Sequence, residues 1–374
     1  MTCDLINLAT PGVAGLLPYQ PGKPVEELER ELGISNIIKL ASNENPLGPG
    51  AKAKQAISST SELSRYPDGN AHDLKNALAK QHGINTDQIT IGNGSNEILE
   101  LITRATTGSQ HEVIFSEHAF AVYPLVTQAV GAKAVVVPAK NWGHDLSAMQ
   151  AAINENTRLM FVANPNNPTG TWLDTQVLRT LLESCPEHML VVVDEAYFEY
   201  VGEDDYPDCI KWVSEFPNLL VTRTFSKAFG LAGLRIGYGI SHSDIADLMN
   251  RVRQPFNVNS LALSAAEAAL ADNEHLQQSI SQNQVGMKQL TTAFDNMNLH
   301  YIPSVGNFIC VDMESTAQTG MEIYNKLLHQ GVIVRPVENY GLPNHLRVTV
   351  GLKDENEKFI KALQSILSAM DVEA

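Results

Sequence analysis

The sequence predicts an α/β protein whose main sheet is mostly parallel. Short runs rich in Val, Ile and Leu alternate with longer helical patterns between about residues 89 and 240. Continuous apolar runs are typical of strands that are buried on both faces. The chain of 374 residues is also long enough for more than one domain. We therefore predict a large domain with a seven-stranded sheet flanked by helices, a smaller α+β domain and an N-terminal arm.

The chain begins with the arm. Residues 11–24 are rich in proline and glycine, which predicts an extended segment, and the acidic pattern VEELEREL at 25–32 predicts a short helix. A second proline and glycine cluster at 45–50 ends this entry segment. We predict that residues 1–45 form the arm and part of the small domain, 46–275 the large domain, and 276–374 the C-terminal small domain.

Seven apolar runs predict the strands of the large sheet. They are QITIG (88–92), EVIFS (112–116), KAVVVP (133–138), RLMFVA (158–163), MLVVVDE (189–195), LLVTRT (219–224) and RIGYGI (235–240). A helix is indicated after Gly94, where Ile98, Leu101, Ile102 and Ala105 recur at helical spacing.

After residue 280 the pattern changes to a helix, the strand NFICVDM, a helix, the strand GVIVRP, a loop, the strand HLRVTVG and a last helix. This order predicts the smaller α+β domain. Strand alternation in HLRVTV puts the apolar residues on one face and Arg347 with Thr349 on the other, so Arg347 can project into a cleft. Arg335 ends the pattern of the preceding strand.

Composition excludes several classes of function. The net charge of −16, without a basic cluster, argues against nucleic-acid binding, which needs cations against phosphates. The N-terminus lacks the positive charge of a signal peptide, and no run approaches the 18 apolar residues of a membrane span. The four cysteines are scattered and the histidines form no ligand motif, so we expect a cytoplasmic protein without a bound metal.

Polar residues follow most of the predicted strands, where ligands bind in open α/β sheets. The turn from Gly92 to Glu97 could hold a phosphate at a helix start, or it could be an ordinary tight turn. It also resembles the start of the dinucleotide fingerprint GxGxxG, but Glu97 stands in place of the third glycine. Asp194 and Glu195 end a strand as in ATPases, but the chain has no phosphate loop of the form GxxxxGK[ST]; Glu195 could instead cap the next helix. Lys227 lies in an apolar, small-residue segment and is a candidate to form a Schiff base, because desolvation lowers the pKa of an amine.

Three strings together resemble the fold-type-I pyridoxal-phosphate aminotransferases. They are NPNNPTG (164–170), DEAY (194–197) and SKAFGLAGLRIGY (226–238). Four more strings are similar to those of the histidinol-phosphate aminotransferase family, namely LPYQPGKPVEEL (17–28), LASNENPLGP (40–49), RYPDG (65–69) and RPVENYGLPNHLRVTVG (335–351). The resemblance covers nearly the whole chain.

The resemblance implies roles around the cofactor ring. Lys227 would form the Schiff base with pyridoxal 5'-phosphate and then shuttle a proton, a task for a neutral amine. Asp194 would keep the pyridine nitrogen protonated. Asn167 and Tyr197 would donate hydrogen bonds to the phenolate oxygen, and Phe120 would stack on the ring, although many relatives have Tyr at that position.

The resemblance also implies a phosphate site and a homodimer. The phosphate ligands within one chain would be Ser95, Asn96, Thr224, Ser226 and Arg235. Tyr66 would reach the same phosphate from the partner subunit. A forked guanidinium with hydroxyls and backbone amides suits a phosphate dianion.

Substrate choice is expected to depend on the small domain and the arm. The resemblance implies that Arg335 and Arg347, with Tyr19, bind the phosphate of the substrate, and Asn43 is a further candidate. From the residues alone, one arginine could instead bind a carboxylate while the other is an exposed strand residue.

The reaction that these residues predict is transamination of L-histidinol phosphate with 2-oxoglutarate, giving imidazole-acetol phosphate and L-glutamate. An aromatic-amino-acid aminotransferase and a threonine-phosphate decarboxylase would resemble the same scaffold. Two other classes compete with them. A nicotinamide dehydrogenase built on residues 92–97 would leave Lys227, Asn167 and Asp194 without a role, and a non-catalytic cofactor-binding module would not need every one of these polar groups.

Overall fold

A computed structural model describes residues 5–18, 21–316 and 318–373. The helices are α1 (Pro11–Ala14), α2 (Val25–Leu32), α3 (Ala51–Ser59), α4 (His72–His82), α5 (Ser95–Thr106), α6 (Val122–Ala129), α7 (Leu146–Ala151), α8 (Thr175–Ser184), α9 (Ser243–Val252), α10 (Ser260–Leu270), α11 (Asn273–Asn296), α12 (Gly320–His329) and α13 (Lys353–Glu373). The strands are β1 (Ile38–Lys39), β2 (Ile89–Gly92), β3 (Glu112–Ser116), β4 (Lys133–Val137), β5 (Thr157–Ala163), β6 (Leu190–Asp194), β7 (Leu219–Thr224), β8 (Gly237–Ser241), β9 (Tyr301–Ile302), β10 (Phe308–Asp312), β11 (Val332–Ile333), β12 (Arg335–Val337) and β13 (Leu342–Thr349).

The large sheet has seven strands in the order β2-β8-β7-β6-β5-β3-β4. Strands β3 to β7 are parallel to their neighbours within this group, whereas β8 is antiparallel to both β2 and β7. Each of the seven apolar runs forms one of these strands, so the predicted fold class is confirmed. The carboxyl ends of β5, β6 and β7 lie at the same edge of the sheet, and that edge carries the candidate site.

Helices bury both faces of this sheet, which explains why its strands are continuously apolar. Met160, Val191 and Val193 contribute to the core on one face, whereas Leu159 and Val192 contribute to the core on the other. The first face packs with α4, α8 and α10, and the second with α5, α6 and α9. Successive side chains of a strand point to opposite faces of the sheet. A strand that is covered on both faces therefore does not alternate between apolar and polar residues.

A second core lies on a four-stranded antiparallel sheet with the order β12-β13-β10-β9. Leu346, Val348 and Val350 are buried in this core, and Arg347 with Thr349 lies on the opposite face, as the alternation predicts. Helix α11 crosses the predicted boundary between residues 275 and 276. The domain limits stay predictions.

The segment GVIVRP does not form the single strand that its apolar run predicts. Val332 and Ile333 pair in parallel with β1, and the chain then pairs with β13 from Arg335 onward. The cause is the entry segment, which supplies β1 as a separate partner for the first two residues. Arg335 therefore begins β12 instead of ending a strand.

The arm also differs from its prediction. Residues 11–24 are not extended throughout, because Pro11–Ala14 form the turn of α1. Proline is favoured at a first helical position, where its missing N–H is not needed. Helix α2 forms as predicted, and Gly33, with a φ of 65°, follows its last residue as the C-cap. Within the described residues, no helix is both long and apolar enough to cross a bilayer.

Candidate active site

One cavity at the carboxyl edge of the large sheet contains most of the side chains predicted for the site. It is lined by Asn43, Ser95, Asn96, Phe120, Asn167, Asp194, Tyr197, Thr224, Ser226, Lys227, Arg235, Arg335 and Arg347. Gly22, Ala41, Ser42, Ala163, Pro165, Ala196 and Tyr340 complete the lining. The cavity thus joins strand ends of the large sheet to β12 and β13 of the small sheet.

Of the predicted residues that the structure describes, Tyr66 is not in this cavity. Tyr66 lies on the surface, where 81% of it is exposed and its ring stacks on Phe256 with centroids 4.6 Å apart. Tyr19 lies outside the described residues.

Lys227 follows β7 and is half-buried at the centre of the cavity. Its Nζ donates a hydrogen bond to the Ser42 carbonyl at 3.2 Å. The pKa of this amine is lowered to about 8, first by burial and then by the cations Arg347 and Arg235, against the opposing effect of Glu44 and Asp194. A neutral amine is a nucleophile and a base, so the site favours the reactive form of Lys227.

Asp194 is the last residue of β6, and its buried carboxylate is held by two hydroxyl groups. Thr222 Oγ1 donates to Oδ1 at 2.8 Å, and Tyr123 Oη donates to Oδ2 at 2.9 Å. Burial raises the pKa of Asp194, whereas these hydrogen bonds and the charge of Lys227 act in the opposite direction. Among the described residues no cation forms an ion pair with Asp194, so a cationic ligand would find its partner here.

Sequence reasoning missed the two residues that hold Asp194. Thr222 could have been found, because it precedes Thr224 by two positions on the same face of a strand. Tyr123 had no such signal, since it lies within α6 among apolar residues. Its ring stacks on Phe161 at 4.5 Å and meets the edge of Phe120 at 5.8 Å, which fixes all three rings.

An anion pocket forms where α5 begins. Gly94 precedes the helix with a φ of 79°, and a Cβ atom there would lie 2.6 Å from Nη2 of Arg235. Glycine therefore lets the guanidinium lie directly against the helix start, where Ser95 and Asn96 present backbone amides. Ser226 completes the pocket, with its Oγ 3.5 Å from Nη1 of Arg235.

Further hydrogen bonds fix the turn after β7 and the residue after β6. Thr224 Oγ1 accepts a hydrogen bond from the Ser226 amide at 3.1 Å, which fixes the turn that leads to Lys227. Glu195 does not cap the short 3-10 helix Phe198–Tyr200 that directly follows it, but it accepts the amide at the start of the later 3-10 helix Cys209–Trp212. It points to the other side of the sheet, accepts two hydrogen bonds from Arg223 at 2.9 and 2.7 Å, and accepts the Cys209 amide at 3.0 Å.

Two polar side chains of the cavity are oriented by strand β13. Arg347 Nη1 donates to Asn167 Oδ1 at 2.5 Å, which leaves the Asn167 amide group to donate into the cavity. Asn43 Nδ2 donates to Tyr197 Oη at 2.9 Å, and Asn43 Oδ1 accepts from Thr349 at 3.2 Å. Burial raises the pKa of Tyr197 to about 12, so its hydroxyl keeps the proton that it can donate.

Arg335 and Arg347 are direct partners across β12 and β13. Both are buried, with 9% and 6% of their surfaces exposed. Like charges at directly opposite positions destabilise a sheet, and Nε of Arg347 is buried without a hydrogen-bond partner. No carboxylate of the described residues forms an ion pair with Arg347. The arrangement suits an anionic ligand that would bind both guanidinium groups.

Comparison with known proteins identifies the family of the chain. The family model "Aminotransferase class I and II" matches residues 35–363. The chain is 59% identical over 362 residues to histidinol-phosphate aminotransferase 1 of Nitrosococcus oceani, covering 96% of this chain and 97% of the relative. It is 58% identical over 371 residues to histidinol-phosphate aminotransferase 2 of Pseudomonas fluorescens, covering 98% and 100%.

Solved structures show the same fold. The histidinol-phosphate aminotransferase of Sinorhizobium meliloti, determined in complex with pyridoxal-5'-phosphate, is 30% identical and matches with a TM-score of 0.88 over 96% of this chain and 98% of that chain. An aspartate aminotransferase of Thermus thermophilus matches with a TM-score of 0.81 at 21% identity over 93% of this chain and 97% of that chain, a likeness of fold. The chain therefore belongs to the class I and II aminotransferases and, within them, to the histidinol-phosphate aminotransferase family.

Proposed function

We propose that this protein is a pyridoxal-phosphate-dependent transaminase of histidine biosynthesis. It transfers the amino group of L-histidinol phosphate to 2-oxoglutarate, giving imidazole-acetol phosphate and L-glutamate. The family supports this reaction. The observation that carries it is one cavity in which the amine of Lys227 lies between an anion pocket, a buried carboxylate and a facing pair of arginines.

The residues of the cavity fit pyridoxal phosphate. The start of α5 with Arg235 forms a pocket for its phosphate, since Gly94 leaves the space that a side chain would fill. Asp194, buried and without an ion-pair partner among the described residues, would hold the protonated ring nitrogen. When bound, the cofactor supplies an aldehyde that accepts the amino group and a ring that withdraws electrons from the substrate α-carbon.

Each side chain then has a defined task. Lys227 Nζ would hold the cofactor covalently, and once released it would accept the proton of the substrate α-carbon as a general base. Asn167 and Tyr197 would donate hydrogen bonds to the phenolate oxygen of the ring, from orientations that Arg347 and Asn43 fix. Phe120 would cover the face of the ring and limit access of water.

The arginine pair would bind the phosphate monoester of the substrate. Two guanidinium groups on adjacent strands can neutralise a dianion and hold its oxygens in a fixed geometry. Tyr19 is proposed as a third ligand. Asn43 uses its side chain to hold Tyr197 and Thr349, so its proposed contact with substrate would be made beside that role.

The active unit is proposed to be a homodimer in the cytoplasm. Tyr66 is largely exposed and lies outside its own cavity, which supports a contact with the cofactor phosphate of the partner subunit. The remaining phosphate ligands, Ser95, Asn96, Thr224, Ser226 and Arg235, come from the same chain.

Absorbance and covalent trapping test the cofactor chemistry. The purified protein should be yellow, and borohydride should bleach it and fix the cofactor to Lys227. Lys227→Ala should still bind cofactor without a borohydride-stable adduct and without turnover. A colourless wild-type protein with no adduct would refute the proposal.

Kinetics test the substrate. Steady-state rates with histidinol phosphate, phenylalanine and threonine phosphate as amino donors should favour histidinol phosphate. Arg335→Ala should raise KM for histidinol phosphate about tenfold or more, because a charged hydrogen bond is lost, and should change KM for 2-oxoglutarate much less. Equal effects on both substrates would show that Arg335 is not specific for the phosphate.

A further inference from the structure

Glu97 accepts two hydrogen bonds that tie the start of α5 to a neighbouring loop. The Asn93 amide donates to Glu97 Oε2 at 2.6 Å, and Asn257 Nδ2 donates to the same oxygen at 2.6 Å. Asn257 also donates to the Ile91 carbonyl at 3.1 Å. The acid that replaces the third glycine of a dinucleotide fingerprint is therefore a fixed acceptor beside the anion pocket.

Arg253 continues this connection to the loop between α3 and α4. Its Nη1 donates to Asn257 Oδ1 at 2.6 Å, and its Nη2 donates to the Gly69 carbonyl at 3.0 Å. Its Nε donates to Asn250 Oδ1 at 3.0 Å. We name Glu97, Asn257, Arg253 and Gly69 the strut.

The strut ends beside Tyr66. The Tyr66 ring stacks on Phe256 with an interplanar angle of 15°. In the sequence, Phe256 lies between the strut residues Arg253 and Asn257. Gly69 packs against the Phe256 ring, since a Cβ atom there would lie 3.2 Å from Cδ1. Tyr66 is thus held on a platform while 81% of it faces outward.

The construction of this platform points to a function beyond the stability of one chain. Phe256 has a φ of 56°, a conformation that costs a bulky residue about 1–3 kcal/mol and that concentrates at functional sites. It is 45% exposed, so the strained backbone buries little apolar surface in return. Arg253 donates to the neutral acceptors Asn250, Asn257 and Gly69, and it forms no ion pair with a carboxylate of the described residues.

We propose that the strut positions Tyr66 for the phosphate of the cofactor bound by the partner subunit, with Arg253 as the central positioning residue. This inference rests on the proposed homodimer and on the proposed contact of Tyr66. The strut begins at the helix start that binds phosphate in its own subunit and ends at the tyrosine that serves the other. Glu97 holds the start of α5 through the Asn93 amide and Asn257, whereas Arg253 holds Gly69 at the Tyr66 end, so loss of Arg253 should release Tyr66 and leave the anion pocket of its own subunit in place.

Mixed dimers separate this role from a local structural one. Each dimer has one Lys227→Ala subunit and one subunit that retains Lys227, so only the second site gives a borohydride-stable adduct. In the first arrangement Arg253→Met is on the Lys227→Ala chain, whose Tyr66 serves the site with Lys227. In the second arrangement Arg253→Met is on the chain that retains Lys227. The measurement is the pyridoxal-phosphate concentration that half-saturates the adduct.

The first arrangement should raise this concentration about tenfold, and the second should change it by less than about twofold. Phe256→Leu in place of Arg253→Met should give the same asymmetry. Arg251→Met is the matched control, because Arg251 is exposed on α9 and pairs with Asp247, and it should have no effect in either arrangement. Equal effects in both arrangements, or a larger effect in the second, would overturn the strut.

Tyr66→Phe distinguishes the two levels of the proposal. In the first arrangement it should raise the half-saturating concentration about as much as Arg253→Met, and the two changes together should add nothing, since both remove one contact. An effect of Tyr66→Phe without an effect of Arg253→Met refutes the strut alone. No effect of Tyr66→Phe refutes the contact between subunits and the strut with it.

Discussion

Burial is the largest cause of the lowered pKa of Lys227, and two cationic neighbours add to it. Arg347 and Arg235 add positive charge near an amine that the protein has already removed from water, and both effects favour the neutral form. The same arginines bind anions in the proposed mechanism. An arginine that binds an anion would thus also lower the pKa of the Lys227 amine.

The pH dependence of cofactor capture checks this coupling. The rate at which the cofactor-free protein forms the borohydride-stable adduct should rise with pH and level off above about 8, because the neutral fraction of Lys227 increases through its pKa. Arg347→Met removes a cation that lowers this pKa, so the midpoint should move to higher pH. Arg104→Met, an exposed arginine on α5 paired with Glu100, is the control. A midpoint that does not move, or moves down, would contradict the electrostatic argument.

Tyr123 is a second residue whose effect we expect to be indirect. Its hydroxyl stabilises the ionised form of Asp194, and without it the pKa of Asp194 should rise further. Tyr123→Phe keeps the stacking on Phe161 and should lower kcat about tenfold, with a smaller change in KM for histidinol phosphate. Tyr301→Phe, in the other core, is the matched control. Stopped-flow and steady-state rates that are unchanged would show that Thr222 alone suffices for Asp194.

At the scale of elements, β6 and β7 are joined on the side of the sheet away from the cavity. Arg223 lies between Thr222 and Thr224, and it pairs with Glu195, with Asp208 at 2.6 Å, and with the ring of Phe198, whose centroid lies 3.3 Å from Cζ. Alternation therefore places Asp194 and Thr222 toward the cavity and a buried ion pair behind them. The pair fixes how the ends of both strands meet.

Removing one member of this pair should be costly. Arg223→Met leaves the carboxylate of Glu195 buried without a cation, and we expect the free energy of unfolding to fall by about 3–5 kcal/mol. The double variant with Glu195→Met should recover part of this loss, because no buried charge is left alone. Chemical denaturation of the three proteins gives the comparison. A double variant that is less stable than Arg223→Met would contradict this account.

The elements differ in how far the sequence reveals them. The seven strands of the large sheet are visible because burial on both faces makes each an uninterrupted apolar run. Strands β1 and β9 have two residues each and form only because distant segments pair with them, so no local sequence pattern predicts them.

The residues of the cavity likewise differ in whether a local sequence pattern predicts them. Residues in family strings or at strand ends were found, whereas Tyr123 and Arg253 act through contacts that only the folded chain creates.

At the scale of the whole molecule, an acidic protein binds anions in a basic cavity. The formal charge of −16 opposes the approach of a phosphorylated cofactor, while Lys227, Arg235, Arg335 and Arg347 attract it at short range. The long-range part depends on ionic strength, because the screening length falls from about 30 Å at 0.01 M to about 8 Å at 0.15 M.

Higher salt should therefore increase the rate at which the cofactor associates with the protein. Raising the ionic strength between these two values should increase the association rate of pyridoxal phosphate with the cofactor-free protein about twofold, since repulsion by the acidic surface is screened more than the contacts inside the cavity. Pyridoxal, which lacks the phosphate, should be nearly insensitive. A rate that falls with salt would mean that the basic cavity dominates at long range as well.

The reversed direction of β8 has a consequence for how the cavity is assembled. Because β8 is antiparallel to β7, the chain enters β8 at the same edge at which it leaves β7. Lys227 and Arg235 thus belong to the tip of one β-hairpin, although their proposed contacts are with opposite ends of the cofactor. Their separation is set by the connection of residues 225–236 and not by the docking of distant segments, so an insertion between them would change that separation directly. Transplanting this hairpin tip unchanged would carry the proposed nucleophile and the proposed phosphate cation together.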